Sequence, residues 1–544
     1  MAEHDPTSQD DPMPADGPTP ADEARPAEVS AEPAEQHAMP AHHELATEPE
    51  AGAPPASTPP SAANARSREA AMVSLRVARG LVGLGLAAAL VAGVGLATAP
   101  SVSIDPLATT VDPEPADLIR ACAGPLLRLG DPTGANAGQT FAVGEPDVIA
   151  SAISGDAVQT SAGDAVVLTL AAAADAALAG TQSQVASGGD GLEGLAVASC
   201  IEPASSAWLV GGANATGRTT LLVLTNPTEV PADVTIQLWG EDGAITAPGM
   251  SGLRVPPGSQ RIVPLTGYAP ELTSPIVRVT ARGGQIAATL QTSVIRVLDP
   301  GGVDIVGPSA APATRVVVPG VRLADTAGVS GALGRLDHED LDAIARIGNV
   351  GSADADVEIS VRPAGADGFG TSFRVDVPAG RVVDVALSAG LALGEGPLAD
   401  GTYTVSFDSD VPVVAGVRAS TTPAGPEGAS RPGPIDLAWF PSAVALRADT
   451  LIATAAASAP LLTLENSSDV DRTVVIEPQT GASPIELVVP AGGSSSVALA
   501  PGTGHLLRDV SGIRAGISYA STGELAAQSI RSPRQAETSI VVRP

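Results

Sequence analysis

From about residue 112 to the C-terminus, short apolar runs alternate with polar positions at a period of two, punctuated by Pro, Gly, Asn and Asp. That pattern predicts half-buried β-strands joined by tight turns. Three stretches repeat it in register: LLVLTNPTEVPADVTIQL around Asn226, AIARIGNVGSADADVEISV around Asn349 and LLTLENSSDVDRTVVIEP around Asn466. Each reads as an apolar strand, an asparagine turn and an alternating strand. A Pro–Gly turn follows in each copy, after Val255, Val377 and Val489. A third block reads as a hairpin, with turns at Gly283-Gly284, Ser409-Asp410 and Thr522-Gly523. An arginine closes each copy, at Arg296, Arg418 and Arg531. A strand containing Trp208, Val316 or Trp439 opens it.

The predicted fold class is therefore all-β. Tandem antiparallel β-sandwich, Ig-like repeats are expected at 207–300, 301–421 and 422–544, after a degenerate β unit at 112–206. The alternative is a β-propeller in which each unit splits into two blades. Asp337–Ile347 is the one helix-like stretch and is expected to be a crossover. Periodicity leaves open whether the units string out as a rod or pack into a block.

Residues 1–65 differ. They carry thirteen acids and one base, are rich in Pro and show no apolar period, so a disordered acidic tail is expected. Four arginines fall in the basic segment 66–79. The uncharged stretch Gly80–Ala99 is then long enough for one bilayer core at about 1.5 Å per residue. The basic flank places the N-terminus in the cytoplasm and the region beyond the 100–111 linker outside. Ala97-Thr98-Ala99 has the form of a cleavage site, but Pro100 follows it and the leading segment is far too long. A retained signal anchor in the cell membrane is the expectation, with the lipid bilayer as partner of residues 80–99.

The formal charge of −31 argues against a nucleic acid partner. No lysine occurs, which removes any Walker phosphate loop. Cys122 and Cys200, alone and both on the predicted outer side, are expected to form a structural disulfide. Closing that loop stabilises by roughly 4–5 kcal/mol in the chain-entropy model.

No catalytic, cofactor or metal-binding set emerges. His338-Glu339 begins a zinc helix, but Asp342 stands where the second histidine belongs. His505 has no nucleophile elbow near it. Asp354/Asp356 and Asp469/Asp471 occupy equivalent turns and read as turn formers rather than Ca²⁺ ligands. Trp208, Trp239, Trp439 and Phe440 are capable of stacking on sugars. The matching places of Trp208 and Trp439 make them core residues in this reading.

The N-P-T-x-x-x-A-x-V-x-I block at Asn226, the V-P-P-G-S turn, Cys122-Ala-Gly-Pro, Cys200 and Trp208-Leu-Val-Gly-Gly together resemble an actinobacterial family of unknown function. The resemblance covers roughly residues 115–540. Where that family has Cys-Pro-Gly-Pro, Ala123 stands here. It implies a single-span, secreted-side β-repeat protein of the envelope and offers no catalytic residue.

The expected function is a non-enzymatic, membrane-anchored scaffold or binding module, with an envelope glycan or another envelope protein as partner. An accessory subunit of a glycan assembly or export machine is the first alternative. A carboxylate-dependent envelope hydrolase is the second.

Overall fold

Val, Ile and Leu on one face of each run and polar residues on the other drive the chain into antiparallel strands whose apolar faces must be covered. The computed structural model describes residues 84–86, 88, 109–111, 116–130, 136–335, 337–365, 370–388, 398–425, 433–533 and 540–542. The predicted tail and basic segment lie outside the described residues, as does nearly all of the predicted span. Among the described residues no helix is long and apolar enough to cross a membrane.

The second unit shows the plan. Ser206–Val210, Ile276–Gly283 and Ala232–Gly240 form one sheet with two short edge strands. Ser259–Pro264, Arg218–Asn226, Ala287–Arg296 and Asp299–Val306 form the other. Both close over one core that includes Leu222, Leu224, Val234, Ile236, Val277 and Leu290. The two sheets of a unit share a core, which does not match a unit divided into two propeller blades. The third and fourth units repeat this two-sheet arrangement. The first is built from three smaller sheets and carries the Cys122–Cys200 disulfide.

Four features differ from the sequence reading. In the second unit the third block is not a hairpin. Ile276–Gly283 and Ala287–Arg296 belong to different sheets, and the chain crosses between them at Gly283-Gly284. Gly283 has φ +83°, and a Cβ there would sit 2.6 Å from the Pro231 carbonyl oxygen.

In the third unit the same block is a single 21-residue strand, Gly401–Thr421, that runs through both sheets. Only in the fourth unit do Arg514–Ser521 and Glu524–Ser529 form a hairpin.

The unit boundaries also move. Asp299–Val306 pairs with Ala287–Arg296, so the second unit runs past residue 300. Asp436–Pro441, with Trp439, closes the third unit rather than opening the fourth. Finally, the helix is Thr326–Ala332; Asp337–Ile347 holds the 3-10 turn Glu339–Leu341 and the start of strand Ile344–Gly348.

The asparagine turns are alike in all three copies. Asn226 Nδ2 donates to the carbonyls of Val230 and Val255 at 2.9 and 3.0 Å, while its Oδ1 accepts the Thr228 amide. Asn349 does the same with Ala353, Val377 and Gly351, and Asn466 with Val470, Val489 and Ser468. Each buried amide thus clamps a turn to the neighbouring strand and leaves none of its own groups unpaired.

The closing strands of the four units, Glu193–Ser199, Asp299–Val306, Asp436–Pro441 and Glu524–Ser529, pack against one another as a ring. Side chains alternate in direction along each. One set enters the unit's own core: Ala196 and Ala198, Val306, Ala438 and Phe440, and Ala526. The other set enters the core of a neighbour. Leu195 and Val197 pack in the fourth unit, Val303 and Ile305 in the first, Leu437 and Trp439 in the second, Leu525 and Ala527 in the third. The exchange is cyclic, so every core is completed by another unit, and the described residues from 109 onward form one compact body.

Candidate functional site

A cavity of about 570 Å³ opens where the first, second and fourth units meet, beside the ends of strands Glu193–Ser199 and Glu524–Ser529. That size suits a small ligand. Its walls are Leu178–Gly180 and Ser199–Glu202 from the first unit, Ser206, Ala207 and Ile286 from the second, and Val444, Ala445, Leu451–Ala453 and Gln528–Ser529 from the fourth.

Its ionisable lining is three arginines, Arg120, Arg447 and Arg531, and one carboxylate, Glu202. Arg120 is 9% exposed; its Nε donates to the Leu178 carbonyl at 3.1 Å and its guanidinium pairs with Glu202 at 3.0 Å. Arg531 donates to the carbonyls of Pro308, at 2.8 Å, and Ser309. Arg447 is exposed, and its backbone amide is held by Ser532 Oγ at 3.0 Å.

Two carboxylates are buried inside the ring. Asp436 is fully buried and accepts one backbone N–H from each of the four units: Leu195 and Leu525 on Oδ2 at 2.8 and 2.9 Å, Leu437 and Val303 on Oδ1 at 2.9 and 3.3 Å. Burial pushes its pKa well above the ordinary carboxylate value, and the four amides pull it the other way. Asp304 accepts the amides of Trp439 and Ile305 at 2.7 and 2.9 Å, and burial pushes it up to about 8. Both bond only to backbone in these contacts, and neither lines the cavity.

The three arginines aligned by sequence do not share a rung. Asn226, Asn349 and Asn466 fix the register, which sets Gln291 and Ser518 opposite Arg418 in the other copies. Arg296 instead lies at the far end of its strand and pairs with Asp340 of the third unit at 2.8 Å. Arg418 donates to the carbonyls of Asp340 and Asp342 within its own unit. Arg531 follows the next strand and reaches the second unit.

The junction of the second and third units has a further cation missed in the sequence. Arg346 is 1% exposed, forks onto Asp384 at 2.8 Å, donates to the carbonyls of Gly212 and Thr273, and lies 4.5 Å from the Trp439 ring centre. Its strand, AIARIG, places an arginine among apolar residues, and that was the available signal.

The remaining candidates are dispersed. Trp439 is core, but Trp208 is not its counterpart. Trp208 stacks on Trp239 at 5.5 Å, with Arg278 5.3 Å over its ring, on the side of the sheet away from the core of its own unit. His505 is 2% exposed and burial lowers its basicity; His338 precedes the 3-10 turn. Asp354 and Asp471 accept the amides of Ala379 and Ala491, each at 2.9 Å, as equivalent turn formers. Among the described residues no three His, Cys, Asp or Glu side chains are placed to hold a metal ion.

The model of a family of unknown function, DUF5719, matches residues 157–504. The chain belongs to this family. In this DUF5719 protein the matched span contains the three asparagine turns, Asp436 and Arg447, while Arg120 and Arg531 fall outside it. No curated protein is significantly similar to the chain. Among solved structures it is similar to a tetra-tandem repeat in the extending region of a large adhesion protein. The identity is 13%, 78% of this chain and 92% of that one are covered, and the TM-score is 0.11.

Proposed function

We propose that this protein is a non-enzymatic, single-pass protein of the cell envelope, held by a signal anchor at Gly80–Ala99 with its N-terminus in the cytoplasm. In this reading its two-layered units are Ig-like sandwich repeats displayed outside the membrane as a rigid binding module for an envelope glycan or protein. The observation that carries the reading is the cavity, because it needs three units to build. A spacer made of independent beads has no use for such a junction. The cyclic sharing of cores supports it further, since it fixes the walls relative to one another.

The test has two arms. Protease added to intact spheroplasts should reach the C-terminal region and spare the tail. Tagged full-length protein should then bring down an envelope component from membranes, and Ser206→Trp, which fills the mouth of the cavity, should lose it. An unchanged set of partners in that variant would sink the proposal.

A further inference from the structure

We infer that two copies of this chain pair through the hairpin tip Val297-Leu298 of the second unit, each tip entering an apolar recess on the third unit of the other copy. Strands Ala287–Arg296 and Asp299–Val306 are joined by these two residues alone, since Arg296 stands opposite Asp299. Their side chains are 82% and 87% exposed, more than any other large apolar side chain among the described residues. Val297 also has φ +58°, a left-handed conformation that a β-branched residue adopts only under strain. Turns of this length ordinarily carry Gly, Asn or Asp. The sister hairpin of the fourth unit keeps that rule. There Ser521 stands opposite Glu524, and the two residues between are Thr522 and Gly523, the glycine at φ +70°. The second unit thus bears exposed apolar surface and backbone strain where a polar turn would fold more easily, which marks the tip as a contact surface.

A complementary feature lies beside it. Arg296, at the foot of the tip, holds Asp340 of the third unit at 2.8 Å. The next residue, Leu341, lines a recess of about 70 Å³ with Val329, Leu333, Ala343 and Leu398, and the exposed Ser330 stands at its edge. That is far below the roughly 300 Å³ at which small-ligand sites begin, and suits one aliphatic side chain. The exposure of Val297 and Leu298 shows that the tip does not fill the recess of its own copy. Tip and recess side by side on one face meet the requirement of a twofold axis, in which each copy gives a tip and receives one. Two such contacts cover four aliphatic side chains, whereas a single tip offers another protein too little area for a stable interface. Pairing here leaves the cavity free. The closing strand Asp299–Val306 starts at the tip and leads to Pro308 on the cavity wall, so the two features lie at opposite ends of that strand. Self-pairing therefore goes beyond the cavity reading and does not depend on it.

The experiment follows self-association of the full chain in detergent micelles, by sedimentation and by energy transfer between two labelled pools. The wild type should associate saturably with concentration. Val297→Asn combined with Leu298→Gly gives the tip a polar turn suited to the hairpin. It should weaken association about tenfold or more and leave the thermal midpoint unchanged or higher, because the strain is relieved. Ser330→Trp, which closes the recess from an exposed position, should weaken association likewise. Mixed together, the two variants should associate more tightly than either does alone, since one supplies an intact tip and the other an open recess.

A monomeric wild type overturns the inference, as does association that the tip variant leaves unchanged. Absence of recovery in the mixture overturns the pairing of tip with recess. If the chain stays monomeric while the tip variant loses a protein from a membrane pull-down, or loses affinity for phosphatidylcholine vesicles, the tip serves another protein or lipid and self-pairing is overturned. None of these results bears on the cavity, which Ser206→Trp tests separately.

Discussion

The carboxylate of Asp436 accepts the backbone amide of Leu195 at 2.8 Å across 241 residues of sequence. The same oxygen takes the amide of Leu525, and its twin takes those of Leu437 and Val303. One side chain thus satisfies a donor from each unit at the point where four strands meet and cannot pair as a sheet. Each of those amides would otherwise be buried without a partner.

Asp436→Ala should therefore strip four buried donors at once. At about 1 kcal/mol or more per unsatisfied group, the loss is at least ~4 kcal/mol. Asp436→Asn keeps one acceptor oxygen but turns an NH₂ group toward two of the amides, and should cost ~2–3 kcal/mol. Gly194→Ala should act on the same place, because a Cβ there would lie 2.1 Å from Asp436 Oδ1 and the backbone has φ +125°. Denaturant unfolding of the three variants reads these losses. A change below ~1 kcal/mol in Asp436→Asn would contradict the clasp. Since the cores are shared cyclically, the loss should appear in one transition of the whole body rather than in one unit.

Asp304 makes stability depend on pH. Its folded value, about 8, lies above the ordinary 3.8, so the native state binds the proton more tightly than the unfolded chain. The stabilisation is complete below about 3.8 and disappears as pH rises through about 8. The gap sets an upper bound on the order of 5 kcal/mol. Asp304→Asn removes this titration. Between pH 5 and pH 9 the thermal midpoint of the wild type should fall more than that of the variant, and parallel curves would rule the assignment out.

Much of this architecture is legible in the sequence where it is local. The asparagine turns show as a repeated spacing because each clamp spans only a few residues on one side, from Asn226 to Val230 and from Asn466 to Val470. The crossings between sheets are not legible. A strand that bends through both sheets, Gly401–Thr421, and two strands joined at Gly283-Gly284 both read as hairpins, because alternation says which face is buried but not which sheet is joined. Trp439 matches Trp208 in its surroundings, and that match assigned a closing strand to the wrong unit. The ring and the cavity lay beyond reach. Leu195, Val303, Leu437 and Leu525 are separated by roughly a hundred residues each, and no local period links them.

The asparagine clamps predict a graded result. In Asn226→Ala, Asn349→Ala and Asn466→Ala two equivalent carbonyls and one amide lose their partner, and in the first and third the hydroxyl of Thr228 or Ser468 loses its acceptor as well. Each should cost ~2–4 kcal/mol, and the three values should agree within ~1 kcal/mol. Asn→Asp at the same sites should be worse, because a carboxylate oxygen would face carbonyl oxygens. Measuring all six variants by chemical denaturation settles it; a neutral Asn349→Ala would show that the clamp is not needed in the third unit.

Arg346 and Asp384 offer a test of what joins the second and third units. The guanidinium forks onto Asp384 and reaches the carbonyls of Gly212, Pro275 and Thr273 across the junction, while Ser274 Oγ donates to the same carboxylate at 2.9 Å. Arg346→Met keeps the volume but leaves three carbonyls and a partly buried carboxylate without their cation, and should cost ~3–5 kcal/mol. Arg346→Lys should recover little, since one ammonium cannot match a planar fork with four directions. Adding Asp384→Asn to Arg346→Met removes the stranded charge. The double variant should be less destabilised than the sum of the singles by ~1 kcal/mol or more. Strict additivity in that cycle would mean the ion pair contributes nothing, and that the carbonyl contacts alone carry the junction.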